Sequence, residues 1–93
     1  MVVGTLKLEL FLPASDSLKA KRSVLNRLKE RVRSGFNASI AEVEHQDLWQ
    51  RAGLAVAVVG GAPGVLDNVL RDILAAVERD DRLQVLDYQI RIT

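Results

Sequence analysis

The chain has 93 residues, 48% of them hydrophobic and only 4% aromatic, with no cysteine and a net charge of +1. That length makes one domain, residues 1–93, whose core must be built from Leu, Val, Ile and Ala. The absence of cysteine excludes disulfides and thiolate metal sites, and no run approaches the roughly 18 apolar residues of a membrane span.

The opening stretch MVVGTLKLELFL has no basic leader and no small-residue cleavage site, so it reads as a strand and not a signal peptide. Val2–Leu12 alternates: Gly4, Leu6, Leu8, Leu10 and Leu12 share one face, and Val3, Thr5, Lys7, Glu9 and Phe11 the other. Pro13 ends the strand. Ser15, Asp16 and Ser17 are all N-cap types, so a helix is expected to start here. Leu18, Val24, Leu25, Leu28 and Val32 fall on one side of that helix, with Lys21 unexpectedly in their midst. Gly35 is expected to end it as a left-handed cap.

Phe36–Glu44 reads as a second strand, with Phe36, Ala38, Ile40 and Glu42 in phase. His45–Arg51 is a polar turn containing Trp49. Leu54–Val59 is a continuous Val, Ala and Leu run, expected of a central strand buried on both faces. GGAPG, residues 60–64, breaks the chain, and Pro63 suits the first position of a second helix. That helix places Leu66, Val69, Leu70, Ile73, Leu74 and Val77 on one side and an Asp67–Arg71 pair on the other. Asp80-Asp81 is a charged loop. Leu83–Ile92 is the last strand, with Leu86, Tyr88, Ile90 and Ile92 in phase.

The order β-α-β-β-α-β, with right-handed crossovers, predicts an α+β ferredoxin-like sandwich: a four-stranded antiparallel sheet of order 4-1-3-2 with two helices on one face. One end of that fold gathers the end of the first strand, the start of the first helix, the end of the second strand and the end of the second helix. This places Lys21 near Glu42, where the two can form a partly buried ion pair or belong to a small-anion site.

Charge is unevenly distributed. Ser17–Ser34 holds seven Lys and Arg against one acid, Glu30, a local +6 that leaves −5 for the rest of the chain. Lys19, Arg22, Asn26, Lys29 and Arg33 recur at spacings of 3, 4, 3 and 4 and so form one outward stripe. Such a track can follow phosphates without reading sequence; the plainer alternative is a solvated face.

No catalytic constellation, cofactor motif or metal motif appears. GGAPG lacks the Lys-Ser/Thr of a phosphate-binding loop and the spacing of a dinucleotide fingerprint, and reads as a tight turn. His45, the one histidine, sits in a polar turn beside Glu44 and reads as solvated. Trp49 is either an exposed anchor or a cover for the end of the core. The helix-free sheet face, with Lys7, Glu9, Asn37, Ser39, Asp87, Gln89 and Arg91, lacks the aromatics of an RNA-recognition sheet. It can instead pair with a second copy.

The pieces Ser17-Leu18-Lys19-Ala20-Lys21-Arg22, Phe36-Asn37-Ala38-Ser39-Ile40-Ala41-Glu42, and Asp47 with Trp49 make the chain resemble the YlxP-like family of small bacterial proteins, a domain of unknown function. Length and element order fit as well; Ala38 stands where a larger aliphatic residue is expected. The resemblance implies a ferredoxin-like fold. The family's genes tend to lie beside those for translation initiation and ribosome maturation, which implies a ribosome- or RNA-associated role. No catalytic residue is implied. Acylphosphatases share the size and expected fold, but their glycine-rich loop with an arginine has no counterpart in Pro13–Ser17, so that enzyme is rejected.

The expectation is therefore a non-enzymatic, cytoplasmic accessory protein without cofactor or metal. Lys19, Arg22, Lys29 and Arg33 are expected to bind the phosphates of RNA or a ribosomal particle. Lys21 and Glu42 are expected to hold the helix or to form the alternative anion site. The other alternative is a protein-interaction or homodimerisation module that uses the open sheet face or the basic helix.

Overall fold

Alternation along the first strand puts leucine after leucine on one side. In a computed structural model, which describes residues Met1–Thr93, that side is the floor of the core. The elements run β1 (Val2–Phe11), α1 (Leu18–Gly35), β2 (Ser39–Glu44), β3 (Arg51–Gly60), α2 (Pro63–Glu78) and β4 (Gln84–Ile92). The strands form one antiparallel sheet of order β2-β3-β1-β4, so the two most apolar strands are central. Leu6, Leu8 and Leu10 pair across to Val56, Leu54 and Ala52, and all six are buried. Both helices cover this face. Leu25, Leu28 and Val32 of α1 and Leu66, Leu70, Ile73 and Val77 of α2 close the core. No helix is long and apolar enough to cross a membrane.

The helix ends follow local chemistry, with one departure. Ser17 is the N-cap of α1, its hydroxyl accepting from the Ala20 N–H at 3.0 Å. Pro63 lies in the first turn of α2, where its missing N–H costs nothing. Gly35, however, is not left-handed. No glycine has positive φ, and α1 instead stops where Phe36 turns extended while its N–H still bonds the Val32 carbonyl.

Three strand expectations also change. β2 begins at Ser39, because Phe36–Ala38 lead into the sheet without pairing. β3 is buried throughout on one face only: on the helix-free side Gly53 is covered, but Ala57 and Val59 lie exposed. Finally, a bulge opposite Glu9 and Leu10 shifts the phase of β4. Val85 then faces Leu10, and Leu86 is 49% exposed instead of joining the core. Tyr88, opposite Leu8 at the sheet margin, is also half-exposed.

A second bulge lies in β2, where Glu42 pairs with Leu54 but Glu44 pairs with Gly53. The extra residue is Val43. Glu44 is thereby swung onto the open face, and its Cβ occupies the space a Cβ on residue 53 would need, 2.7 Å away. Gly53 is what lets the two backbones close.

Candidate functional site

Helical geometry divides the charge on α1 into three sets. Lys21 shares the buried face with Leu25, Leu28 and Val32. Arg31 lies on the flank toward α2, where its Nη1 is 3.8 Å from Asp80 Oδ2. Arg33 lies on the opposite flank, and its Nη2 donates to the Ile40 carbonyl on edge strand β2 at 3.1 Å. Lys19, Arg22 and Lys29 share that β2-side flank by their helical phase. Lys19, Arg22 and Arg33 are exposed, and Lys29 is half-buried. From Lys19 to Arg33 the track is about 21 Å long at 1.5 Å per residue.

Which cations are neutralised separates α1 from the rest of the molecule. Lys7 pairs with Glu44, Arg51 with Glu9, Arg71 with Asp67, and Arg82 with Asp80. Lys19, Arg22, Arg27, Lys29 and Arg33 pair with no carboxylate, and Glu30, the one acid on the helix, pairs with none of them. Outside α1 only Arg79 and Arg91 are similarly free. The β2-side flank is thus a line of unneutralised positive charge.

Lys21 is fully buried, with its ammonium 2.9 Å from Glu42 Oε2. It also donates to the backbone carbonyls of His45 at 2.8 Å, Arg51 at 3.2 Å and Gln46 at 3.4 Å. Glu42 Oε2 accepts no hydrogen bond, so its contact with the ammonium is an ion pair alone. One side chain therefore clamps α1 to both ends of the β2–β3 turn. The carbonyls could not be foreseen from residue types, since every backbone carries them.

The turn is fixed from the other side as well. His45 has φ of +61°, in the left-handed region that few non-glycine residues adopt. Its carbonyl faces Lys21 beneath the sheet, while its imidazole Nε2 lies 3.0–3.1 Å from the Glu9 carboxylate on the open face. Arg51 Nη2 meets the same carboxylate at 3.0 Å. Glu9, Glu44 and His45 bring three metal-ligating groups within 4.8 Å of one another. Arg51 and Lys7 already neutralise both carboxylates, however, and the Lys7 contact holds the Glu44 carboxyl below its usual range. The cluster works as an ion-pair network. His45 is thus bonded and half-buried, not solvated as expected: Glu9 is 36 residues away in the chain but lies at the same end of the sheet.

Asp80 lies in the charged loop between α2 and β4, as expected, but it is not a solvated charge. It is buried, accepting from Arg82 Nε at 2.9 Å, Nη2 at 2.7 Å and the backbone N–H at 3.1 Å. The Arg82 side-chain bonds hold its carboxyl below the usual range against the opposing effect of burial. GGAPG lies at the far end, where Gly60, Gly61 and Ala62 line an open groove with Phe36, Val59 and Val65.

Trp49 is 55% exposed and Leu48 44% exposed on the β2–β3 turn, so the tryptophan does not cover the core. The open sheet face is less polar than its list of charged residues suggests. Thr5, Ala41, Ala55 and Ala57 make a shallow trough of small side chains at its centre.

Comparison with known proteins agrees with the motifs on α1 and β2. Residues 3–90 match the family model described as "Protein of unknown function (DUF503)". The chain is also 35% identical over 77 residues to the "Uncharacterized protein YlxP" of Bacillus subtilis (strain 168), covering 83% of this chain and 84% of that relative. A match over nearly the whole chain and a relative of the same length place this protein in the YlxP-like DUF503 family.

Proposed function

We propose that this protein is a non-enzymatic accessory protein of RNA or a ribosomal particle, which it grips by phosphates along the β2-side flank of α1. The observation that carries this reading is the segregation of charge: cations elsewhere are mostly paired, whereas Lys19, Arg22, Lys29 and Arg33 line one flank with no carboxylate partner. Their charges are available to a polyanion without breaking any existing ion pair. Lys21 and Glu42 hold the helix in place. The arrangement of sheet and helices is read as ferredoxin-like, a frame that presents one helix flank and one edge strand side by side.

The test is RNA binding as a function of salt. Four phosphate contacts give a slope of log K against log salt of about −3. The triple variant R22E/K29E/R33E should lose most of the affinity and most of that slope. Equal binding by wild type and variant, or no salt dependence, defeats the reading.

A second reading, a homodimer through the open sheet face, is favoured by the trough of Thr5, Ala41, Ala55 and Ala57 and by the exposure of Val59 on the central strand. Sedimentation at micromolar concentration tests it, and a clean monomer rules it out. A small-anion site around Lys21 is disfavoured, because that ammonium is already surrounded by four oxygen atoms.

A further inference from the structure

We propose that the nucleic acid held by α1 is single-stranded or looped, with one unstacked base lying on the exposed ring of Trp49. The inference rests on the phosphate-track reading and goes beyond it by naming the form of the ligand.

Three observations carry it. First, Trp49 lies at the end of the molecule where the cationic flank begins. The Lys21 ammonium joins the second turn of α1 to the carbonyls of His45, Gln46 and Arg51, and Arg22 of the track is the next residue. The turn leaves from β2, the edge strand whose Ile40 carbonyl meets Arg33 at the other end of the track. The turn that carries Trp49 and the start of the cationic track therefore lie at the same end of the molecule.

Second, the ring is exposed on a turn that cannot fold it away. Lys21 holds both ends of the turn. The Leu48 N–H bonds the His45 carbonyl at 3.0 Å within it. On the far side the Leu12 N–H bonds the Gln50 carbonyl at 2.8 Å, and Gln50 Nε2 donates to the Pro13 carbonyl at 3.1 Å. A large aromatic ring left 55% exposed on a pinned turn loses the burial it would gain by packing inward. It offers a preorganised flat face with little left to lose in entropy on binding.

Third, the combination selects the ligand. Phosphates alone satisfy the cations of α1, whether the strand is single or double. A duplex keeps its base faces stacked inside and offers none to Trp49, whereas an unpaired base can stack on an aromatic ring in any sequence. A run of acidic side chains alone would satisfy the cations but brings no π face to Trp49.

Trp49 is the only tryptophan, so its emission reads this site alone. The experiment titrates the full chain with a 12-nucleotide oligouridylate, a duplex RNA of equal length and a 12-residue polyglutamate, following Trp49 fluorescence and the anisotropy of labelled ligand. The single strand is expected to quench Trp49 and to bind more tightly than the duplex. W49A should weaken the single strand about tenfold while leaving its salt slope unchanged, and W49F should retain most of the affinity.

Single strand and duplex binding equally, with Trp49 emission unmoved and W49A neutral, overturns the stacking inference while leaving the phosphate track standing. Polyglutamate that quenches Trp49 as strongly as the oligonucleotide overturns it in favour of an acidic protein partner. Failure of every RNA to bind, or binding indifferent to R22E/K29E/R33E, removes the track and the inference together.

Discussion

At the scale of single residues, the most consequential side chain is a lysine that touches no solvent. A buried ammonium is tolerated only when hydrogen-bonded and paired, and Lys21 meets both conditions with Glu42 and three carbonyls. Removing one partner of such a pair leaves the other charge stranded. Lys21→Met should therefore cost about 3–5 kcal/mol in urea denaturation, far more than an exposed lysine on the same helix. Adding Glu42→Gln to it should recover about 1 kcal/mol, because the stranded carboxylate is then neutral, but not the whole loss. The carbonyls of His45, Gln46 and Arg51 stay without their donor. A double variant as stable as wild type would show that those carbonyl bonds contribute nothing. The sequence exposed half of this arrangement. Lys21 on an apolar stripe and Glu42 in an inward phase each demand a partner, and the fold puts them at one end of the sheet. The remaining bonds, and the left-handed backbone at His45 that supplies the shortest of them, depend on turn geometry that no side-chain pattern encodes.

At the scale of elements, the connections between strands hold more specific chemistry than the strands themselves. The β2 bulge depends on Gly53, since a methyl group there meets the Cβ of Glu44 at 2.7 Å. Gly53→Ala should cost about 1–3 kcal/mol by overpacking. It should also disturb the Lys7–Glu44 pair, which amide exchange across β2 and β3 would report; a variant as stable as wild type with unchanged exchange would mean the bulge relaxes freely. Asp80 ties the end of α2 to Arg82 and, more distantly, to Arg31 of α1. Its carboxyl is held low in the folded chain, chiefly by the Arg82 side-chain bonds. The stability it contributes is therefore full above the ordinary carboxylate pKa of about 3.9 and is lost as pH falls through the lower folded value. Asp80→Asn should cost about 1–3 kcal/mol near neutral pH. The gap from wild type should stay level down to about pH 5 and close below about pH 4; a gap that widened in acid would contradict this. The inward faces of β1 and α2 are readable because each rests on an uninterrupted period, and strand order because the element order with right-handed crossovers implies it. The place of Leu86 is not, because a bulge inserts one residue and reverses the phase beyond it, and periodicity assumes a regular ladder. Asp80 lies in the expected charged loop, and its burial has only a weak signal in sequence, an arginine two residues on.

At the scale of the whole molecule, the charge at the start of α1 runs against the helix dipole, whereas Arg33 in the last turn suits it. The first turn contains no acid, and Lys19 sits there, at the positive pole of the helix dipole, where a cation is disfavoured. It is exposed and forms no ion pair that would compensate. Arg22 and Lys19 are also like charges three residues apart, a further small repulsion. An arrangement chosen for stability alone would place Asp or Glu at residue 19. Lys19→Glu should accordingly stabilise the protein by about 0.5–1 kcal/mol at low ionic strength, with the gain fading toward 0.5 M salt as the charges are screened. In a domain of this size that gain is a rise in melting temperature of about 2–8 °C. The same substitution removes one cation from the track and should weaken RNA binding severalfold, lowering the salt slope by about one. A gain in stability coupled to a loss of binding is the signature of a residue kept for a partner and not for the fold. If Lys19→Glu destabilised the chain, Lys19 would have a structural task that its contacts do not reveal. If it stabilised the chain and left RNA binding untouched, the phosphate track would have to begin at Arg22.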